Sequence, residues 1–266
     1  PDEASDSTRS AVDHSGAIVD VILWSLVEVE ATDEVLAPFA KCLSSEEQDR
    51  AARFSTLALK RDFVVARCGL RLLLAEATGL PARKITFDYG KHGKPLLAPD
   101  GRVDPFDLSF NLSHSKGIAA LAIGRSGLVG VDIEAHRSVK LELAKRYFAS
   151  AEYDALSRLD RCDQERLFFD LWVAKEACLK ASGLGVSGGL DAFSFDASSS
   201  GALARDLYPK SVHPLCGEPA SWRLRLFDPV ALAPLGQVAM SGAIAVQTDI
   251  PNAALNPRFR AVGFAW

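Results

Sequence analysis

The run from Asp163 to Ser182 predicts one long helix, and this helix constrains the chain more than any other segment. Its apolar face recurs with the i, i+3, i+4 spacing of a helix packed on a core, through Phe168, Leu171, Trp172, Lys175 and Leu179. Lys175 interrupts that face, and Glu176 and Lys180 follow at its edge. Because a buried charge is costly unless it is paired or takes part in chemistry, we interpret W-V-A-K-E-A-C-L-K over 172–180 as a candidate site. An ordinary exposed Glu176–Lys180 ion pair is the alternative.

A second segment, V-G-V-D-I-E over 129–134, predicts a strand with two faces. Its three apolar side chains point one way, while Gly130, Asp132 and Glu134 point the other way. Two carboxylates on one face repel each other, and their oxygen atoms suit a hard cation such as Mg²⁺. Gly130 would leave room for a ligand to approach. A solvent-facing strand with scattered charges is the alternative.

The two segments together supply three carboxylates, Asp132, Glu134 and Glu176, and two cations, Lys175 and Lys180. This combination suits a metal-assisted reaction on a phosphate ester.

A third polar segment, F-N-L-S-H-S over 110–115, ends a strand that we expect to start near Phe106. The chain then turns through Lys116 and Gly117 into a further strand. Ser113 and His114 are well placed there to bind a phosphate or a base. A structural histidine in a hairpin is the commoner case for an isolated histidine.

These three motifs, in this order, resemble the 4′-phosphopantetheinyl transferases of the surfactin-synthetase-activating (Sfp) type. The block G-K-H-G-K-P over 90–95 resembles the glycine-lysine-proline turn of that family. The resemblance extends from about Leu43 to Phe195. Each motif alone is weak, whereas their joint occurrence at family-like separations is specific.

The resemblance implies roles for individual residues. The three metal-binding positions correspond to Asp132, Glu134 and Glu176. Positions expected to contact coenzyme A correspond to Lys175 and Lys180 at its phosphates, Ser113 and His114 at its phosphoadenosine end, and Lys94 in the turn. Upstream, the family's basic coenzyme contacts come from the helical region that holds Arg50, Arg53, Arg61 and Arg67, of which Arg50 and Arg61 are the expected contacts. Glu47 departs from the pattern, because a basic residue often stands there, and this puts one coenzyme contact in doubt.

The implied reaction transfers the 4′-phosphopantetheine arm of coenzyme A to a serine of an apo acyl or peptidyl carrier protein and releases 3′,5′-ADP. It depends on Mg²⁺, with Mn²⁺ as an alternative. Glu176 is the expected general base and Lys180, supported by Lys175, the group that stabilises the leaving ADP. Fatty-acid, polyketide and nonribosomal-peptide carriers all remain open as partners. A metal-dependent phosphodiester hydrolase or nuclease is the alternative enzyme, and a non-catalytic carrier-binding or coenzyme-binding subunit is the third interpretation.

Composition narrows the remaining classes. The chain has 266 residues and a formal net charge of −4, which argues against a nucleic-acid partner. Its five cysteines show no C-x-x-C spacing, so neither a zinc site nor a disulfide framework is expected. We find no signal-peptide pattern and no span long and apolar enough for a membrane, and therefore expect a cytoplasmic protein.

The order of predicted elements indicates an α+β fold. In the first half, strands are expected at 17–29, 85–89, 107–112 and 118–123, with a helix start at Ser44 and a long helix at 59–78. In the second half, strands are expected at 129–134, 192–196, 222–227 and 238–246, with helices at 141–148, 151–159 and 163–182. The resemblance implies two similar halves related by a pseudo-twofold axis, with the site between them in a monomer. We expect a disordered leader over 1–16, an N-terminal half over 17–126, a C-terminal half with the metal site over 127–250 and a tail over 251–266, with a loop at 197–220.

Overall fold

A computed structural model describes residues 16–99, 108–125, 127–185, 189–197, 202–232, 238–250 and 254–264. Within these residues, the strands are β1 (Gly16–Ser25), β2 (Phe87–Tyr89), β3 (Pro95–Leu97), β4 (Ser109–Ser115), β5 (Ile118–Gly124), β6 (Leu128–Ala135), β7 (Phe193–Ser194), β8 (Asp206–Leu207), β9 (Ser211–Val212), β10 (Trp222–Phe227), β11 (Met240–Gln247) and β12 (Ala254–Ala261). The α-helices are α1 (Asp33–Ala40), α2 (Ser45–Ala52), α3 (Leu57–Thr78), α4 (Leu141–Tyr147), α5 (Ser150–Ser157), α6 (Arg161–Ser182) and α7 (Pro229–Leu232).

Two four-stranded sheets form the body of the protein, with strand orders β12-β1-β5-β4 and β6-β11-β10-β8. One apolar core lies between the first sheet and the helices around α3, and a second lies between the other sheet and α6. A third core joins the two sheets through alternate side chains of β1, β5, β6 and β11. This architecture confirms the α+β class, and it places the long helices α3 and α6 on the outer faces.

The two sheets meet along β4 and β6, where side chains take the place of a backbone ladder. Alternate residues of β4 accept hydrogen bonds from the backbone N–H groups of β6: Ser109 from Val129 at 3.0 Å, Asn111 from Val131 at 3.0 Å and Ser115 from Ala135 at 3.3 Å. Because the side chains of a strand alternate between its two faces, 109, 111, 113 and 115 all point toward β6. This seam brings F-N-L-S-H-S beside V-G-V-D-I-E.

Helix ends follow the local sequence closely. Ser44 and Glu47 form a reciprocal capping box at the start of α2, as the predicted helix start at Ser44 requires. Helix α3 ends at Gly79 and α6 at Gly183, with φ of 73° and 71°. Glycine adopts this left-handed conformation without a steric cost, which explains why both helices stop there. The long helix predicted over 163–182 is therefore confirmed with a start two residues earlier.

The predicted tail over 251–266 is wrong in its central part, because 254–261 form a strand. This strand, β12, pairs in parallel with β1 at the edge of the first sheet. Arg258 reinforces the pairing through two hydrogen bonds to Asp20, at 2.8 and 2.7 Å. Phe264 then packs edge-on against the buried Trp24, with 6.0 Å between ring centroids, whereas Trp266 lies outside the described residues.

The structure differs from the predicted elements at three further places. Helix α1 was not predicted, because its eight residues contain Pro38 and few periodic positions. The strand expected over 192–196 is limited to Phe193–Ser194, and the loop expected over 197–220 contains the short strands β8 and β9. The leader, apart from Gly16, and the predicted strand start at 106–107 lie outside the described residues. No helix in the described part of the chain has the length and hydropathy needed to cross a membrane.

Candidate active site

Helix α6 packs directly on β6 and brings Glu176 and Lys180 to the face that carries Asp132. A Cβ atom added to Gly130 would lie 2.0 Å from the carbonyl oxygen of Ala177, so only glycine permits this approach. The expectation that Gly130 leaves room for a ligand is therefore wrong, since the backbone of α6 occupies that space.

The Asp132 carboxylate is the centre of the site and is only 5% exposed. Its Oδ1 accepts hydrogen bonds from Lys180 Nζ at 2.6 Å and Ser113 Oγ at 2.8 Å, and Lys180 also donates to Ser113 at 3.1 Å. Its Oδ2 is buried and has no hydrogen-bond partner within the described residues. Burial raises the pKa of Asp132 and the charge of Glu134 adds to this, although Lys180 and Ser113 oppose the rise.

Two more carboxylates, Glu134 and Glu176, lie near Asp132 and Lys180. Glu134 Oε2 accepts hydrogen bonds from Ser115 Oγ and Arg137 Nη1, each at 3.1 Å. Glu176 is half-buried, and its pKa is raised first by burial and then by the negative charges of Asp132 and Glu134, against the opposing charge of Lys180. The three acidic residues predicted from the sequence, Asp132 and Glu134 on β6 and Glu176 on α6, are therefore close enough to influence one another electrostatically.

The donor set fits a hard divalent cation in chemistry, since it consists of carboxylate oxygens and includes the unpartnered Asp132 Oδ2. The side chains are not already converged on one point, because no group of three or more His, Cys, Asp or Glu in the described ranges has the geometry of a metal site. Lys180 now occupies one oxygen of Asp132, and Arg137 neutralises Glu134. A cation would therefore have to compete with these two basic side chains.

A cavity of about 790 Å³ opens on the other face of β4, in the N-terminal part of the chain. Its lining is rich in basic side chains from α2, α3, β4 and the turn before β2: Arg50, Arg53, Arg67, Arg71, Arg83 and His114. Ser113 and His114 are consecutive and point in opposite directions, so one contacts Asp132 and the other lines this cavity. Strand β4 thus connects the acidic site to the basic cavity.

The arginines that line the cavity are of two kinds: those that form an ion pair with Glu47 and those that do not. Arg67 and Arg71 both pair with the buried Glu47, through Nε–oxygen distances of 2.8 and 2.7 Å. Arg71 Nη1 also donates to the carbonyl oxygens of Ala82 and Ile85, on either side of the turn that carries Arg83. Glu47 is therefore a structural acid in this chain, which accounts for its departure from the family pattern.

The remaining three cavity arginines are exposed, and across the described ranges none forms an ion pair: Arg50, Arg53 and Arg83. Arg50 lies over the ring of Phe63 at 5.1 Å. Free guanidinium groups at a cavity rim are suited to bind an anion such as a phosphate group.

Three residues expected to contact the coenzyme are bound to other groups of the protein. Lys175 is fully buried, forms an ion pair with Glu152 at 2.8 Å and donates to the carbonyl oxygen of Phe193, so it cannot reach a coenzyme. Arg61 is outside the cavity lining and donates twice to Asp62, at 2.9 and 2.8 Å. Lys94 directs its amine to two backbone carbonyls.

Several site residues were missed by the sequence analysis. Ser115 and Arg137 contact Glu134, and Arg83 lines the cavity. The alternation along β4 carries the signal for Ser115, because residues 113 and 115 share a face. No comparable local signal exists for Arg83, which reaches the cavity only because Arg71 holds its turn.

Comparisons with known proteins find matches along most of the chain. Residues 128–233 match the 4′-phosphopantetheinyl transferase superfamily, and residues 29–125 match a family described as 4′-phosphopantetheinyl transferase, N-terminal. The chain is 37% identical over 170 residues to the 4′-phosphopantetheinyl transferase HetI of Nostoc sp., an alignment that covers 63% of this chain and 70% of HetI. It is 31% identical over 169 residues to Sfp of Bacillus subtilis, covering 64% of this chain and 73% of Sfp. A putative 4′-phosphopantetheinyl transferase of Synechocystis sp. is 39% identical over 163 residues, or 60% of this chain and 65% of that protein.

The chain belongs to the 4′-phosphopantetheinyl transferase superfamily. Its relatives include Sfp itself, which confirms the resemblance drawn from the three motifs.

Proposed function

We propose that this enzyme transfers the 4′-phosphopantetheine arm of coenzyme A to a serine of an apo carrier protein. The observation that carries the proposal is the opposite orientation of Ser113 and His114 on β4, which joins the carboxylate cluster to the arginine-lined cavity. Coenzyme A carries both a diphosphate and a separate 3′-phosphate. It therefore has one anionic group for the carboxylate cluster with Lys180 and another for the arginine-lined cavity.

The cavity is suited to the phosphoadenosine end of the donor. Arg50, Arg53 and Arg83 are free to bind the 3′-phosphate, and His114 lines the same cavity. Arg53 and Arg83 take the place of Arg61 in this assignment, because Arg61 already binds Asp62. The diphosphate would then lie beside Lys180 and the three carboxylates.

Asp132, Glu134 and Glu176 are the residues that would hold Mg²⁺, or Mn²⁺ with the same oxygen donors. When bound, such a cation supplies positive charge next to the diphosphate. Lys180, which donates to Asp132, would turn its flexible side chain to a phosphate oxygen of the donor.

In the transfer step, the hydroxyl oxygen of the carrier serine forms a bond to the phosphorus nearest the pantetheine arm. The bond from that phosphorus to the bridging oxygen breaks, and 3′,5′-ADP leaves. Glu176 accepts the serine proton, and Lys180 neutralises the charge that develops on the leaving phosphate. Lys175 has no direct part in this step, because it is fully buried with Glu152.

The acceptor we propose is an acyl or peptidyl carrier of fatty-acid, polyketide or nonribosomal-peptide synthesis. Phe148, Phe168 and Phe169 are 6%, 2% and 1% exposed and belong to the core, so they are not available as carrier contacts. Because one chain supplies the carboxylates, Lys180 and the basic cavity, a monomer suffices for the reaction.

The test is the intact mass of an apo carrier after incubation with the enzyme, coenzyme A and Mg²⁺. A gain of one phosphopantetheine that disappears when the metal is chelated supports the proposal. No gain on acyl, aryl or peptidyl carriers overturns it. Cleavage of coenzyme A without an acceptor in the same samples would indicate a hydrolase instead.

A further inference from the structure

The side chain of Lys94 connects the β2–β3 hairpin to the opposite half of the chain. Its Nζ donates to the carbonyl oxygens of Val129 at 3.1 Å and Ala181 at 2.9 Å. Val129 lies near the start of β6, and Ala181 lies in the last turn of α6. One ammonium group therefore holds three elements together.

The hydrogen bond from Lys94 to Ala181 lies at the C-terminal end of α6, which also carries Lys180. The last carbonyls of a helix have no partner within the helix and need one elsewhere. Leu179 obtains it from the N–H of Gly183 at 3.1 Å, and Ala181 obtains it from Lys94. Lys180, which stands between them, carries the ammonium group that binds Asp132.

The hairpin also forms part of the basic cavity. Tyr89, Gly93 and Pro95 line it, on either side of Lys94 in the chain. The loop after α6 packs against the same turn, since a Cβ atom on Gly185 would lie 3.0 Å from His92 Cβ. The cavity wall and the end of α6 are thus in direct contact.

We propose that Lys94 is a positioning residue that holds the last turn of α6, and with it Lys180, against the hairpin that receives the coenzyme. This inference rests on the proposed transferase function and replaces the expectation that Lys94 itself contacts a coenzyme phosphate or adenine. Burial lowers the pKa of Lys94 to about 8, in keeping with an amine directed into the protein.

The experiment compares Lys94→Met, which keeps the aliphatic stem and removes both hydrogen bonds, with Lys94→Arg, which can still donate to two carbonyls. Lys91→Met is the matched control, because Lys91 is exposed on the same turn and is outside the cavity lining. Each protein is assayed for kcat and KM of transfer, for the Kd of coenzyme A without carrier, and for amide hydrogen exchange at residues 179–183.

Lys94→Met should lower kcat about 10-fold or more, since a small misplacement of Lys180 impairs the transfer step. The Kd of coenzyme A should change less than twofold, exchange at 179–183 should accelerate, and Lys94→Arg should recover most of kcat. A 10-fold weaker Kd with kcat unchanged would overturn the inference in favour of a direct contact. A lower melting temperature with kcat and exchange at 179–183 unchanged would reduce Lys94 to a stability role.

Should Lys94→Met fail to fold, Lys94→Gln can still donate to one carbonyl and is expected to show an intermediate loss of kcat; unchanged kcat there would contradict the inference. If the wild-type enzyme modifies no carrier, the proposed function fails. The exchange and Kd measurements then still decide whether Lys94 holds α6.

Discussion

Lys180 Nζ lies 2.6 Å from Asp132 Oδ1, while the second carboxylate oxygen of Asp132 is buried without a partner among the described residues. A buried acceptor without a hydrogen bond costs about 1–3 kcal/mol, so this arrangement favours a ligand that satisfies it. The negative charges of Asp132, Glu134 and Glu176 repel one another, and basic side chains neutralise them only in part. We therefore expect it to bind a cation more readily than a comparable surface cluster.

Mg²⁺ should raise the melting temperature of the wild-type protein by a few degrees, because a ligand that binds only the folded state stabilises it. Asp132→Asn should abolish this rise. Asp154→Asn, at an exposed carboxylate on α5, is the control and should leave the rise intact. Scanning calorimetry with and without the metal measures the effect, and an equal rise in all three proteins would exclude Asp132 from the metal site.

Glu176→Gln should lower the rate of carrier modification by about 100-fold or more, since it removes the proposed proton acceptor. The amide keeps the size of the side chain, so the Kd of coenzyme A measured by calorimetry should stay within a few fold. Glu165→Gln, on the same helix but paired with Arg161 at the surface, should retain full activity. Normal turnover in Glu176→Gln would refute the assignment of the general base.

Arg83→Ala should reduce the preference for coenzyme A over dephospho-coenzyme A by about 10-fold, because one charge-assisted hydrogen bond to a phosphate contributes about 1.5–3 kcal/mol. The kcat/KM with dephospho-coenzyme A should change little, since that donor lacks the 3′-phosphate. Arg61→Ala is the matched control, because its guanidinium group binds Asp62 outside the cavity. An equal loss with both donors would show that Arg83 does not recognise the 3′-phosphate.

Lys175→Met should destabilise the protein by about 3–5 kcal/mol, the usual cost of leaving one member of a buried ion pair without its partner. Glu152 would lose the ammonium group but would still accept from the N–H groups of Ala149 and Phe195. Urea denaturation measures the free energy of unfolding, and Lys175→Met combined with Glu152→Gln should recover part of the loss. The folded fraction should keep the wild-type Kd for coenzyme A; a Kd weakened 10-fold would restore Lys175 as a phosphate contact.

Glu47→Gln should be less stable than the wild type by about 3 kcal/mol near neutral pH, because it breaks a buried cluster of one acid and two arginines. Burial alone would raise the pKa of Glu47, but Arg71 and Arg67 outweigh it and hold this pKa below its ordinary value of 4.5. The ionised carboxylate therefore contributes its full stability above pH 4.5 and loses it as the pH falls through the lowered pKa. The difference in unfolding free energy should narrow below pH 4.5; a gap that stays constant in acid would contradict the charge assignment.

Local sequence patterns predicted much of the candidate site. The 3.6-residue period of α6 placed Glu176 and Lys180 on one edge, and the two-residue period of β6 placed Asp132 and Glu134 on one face. The serine cap of α2 and the glycines that end α3 and α6 were also readable, because these signals depend only on neighbouring residues.

The role of each charged residue could not be predicted from such local patterns. Lys175 and Lys180 lie five residues apart on one helix, yet one is buried with Glu152 and the other reaches Asp132. Arg61 and Arg67 both belong to α3, yet only Arg67 lines the cavity. The difference lies in which distant segment packs against each turn.

The sequence by itself determined the helices and strands of the site and the faces on which their carboxylates lie, since the geometry of the backbone repeats every few residues. Only the tertiary structure decided which cations are free to meet a ligand. Lys175 pairs with Glu152, Arg67 and Arg71 pair with Glu47, and Lys94 donates to the carbonyl oxygens of Val129 and Ala181. These partners are separated in sequence by 20 to 87 residues. Such partners are set by the packing of whole elements, because the free energy of a buried charge depends on every group that surrounds it.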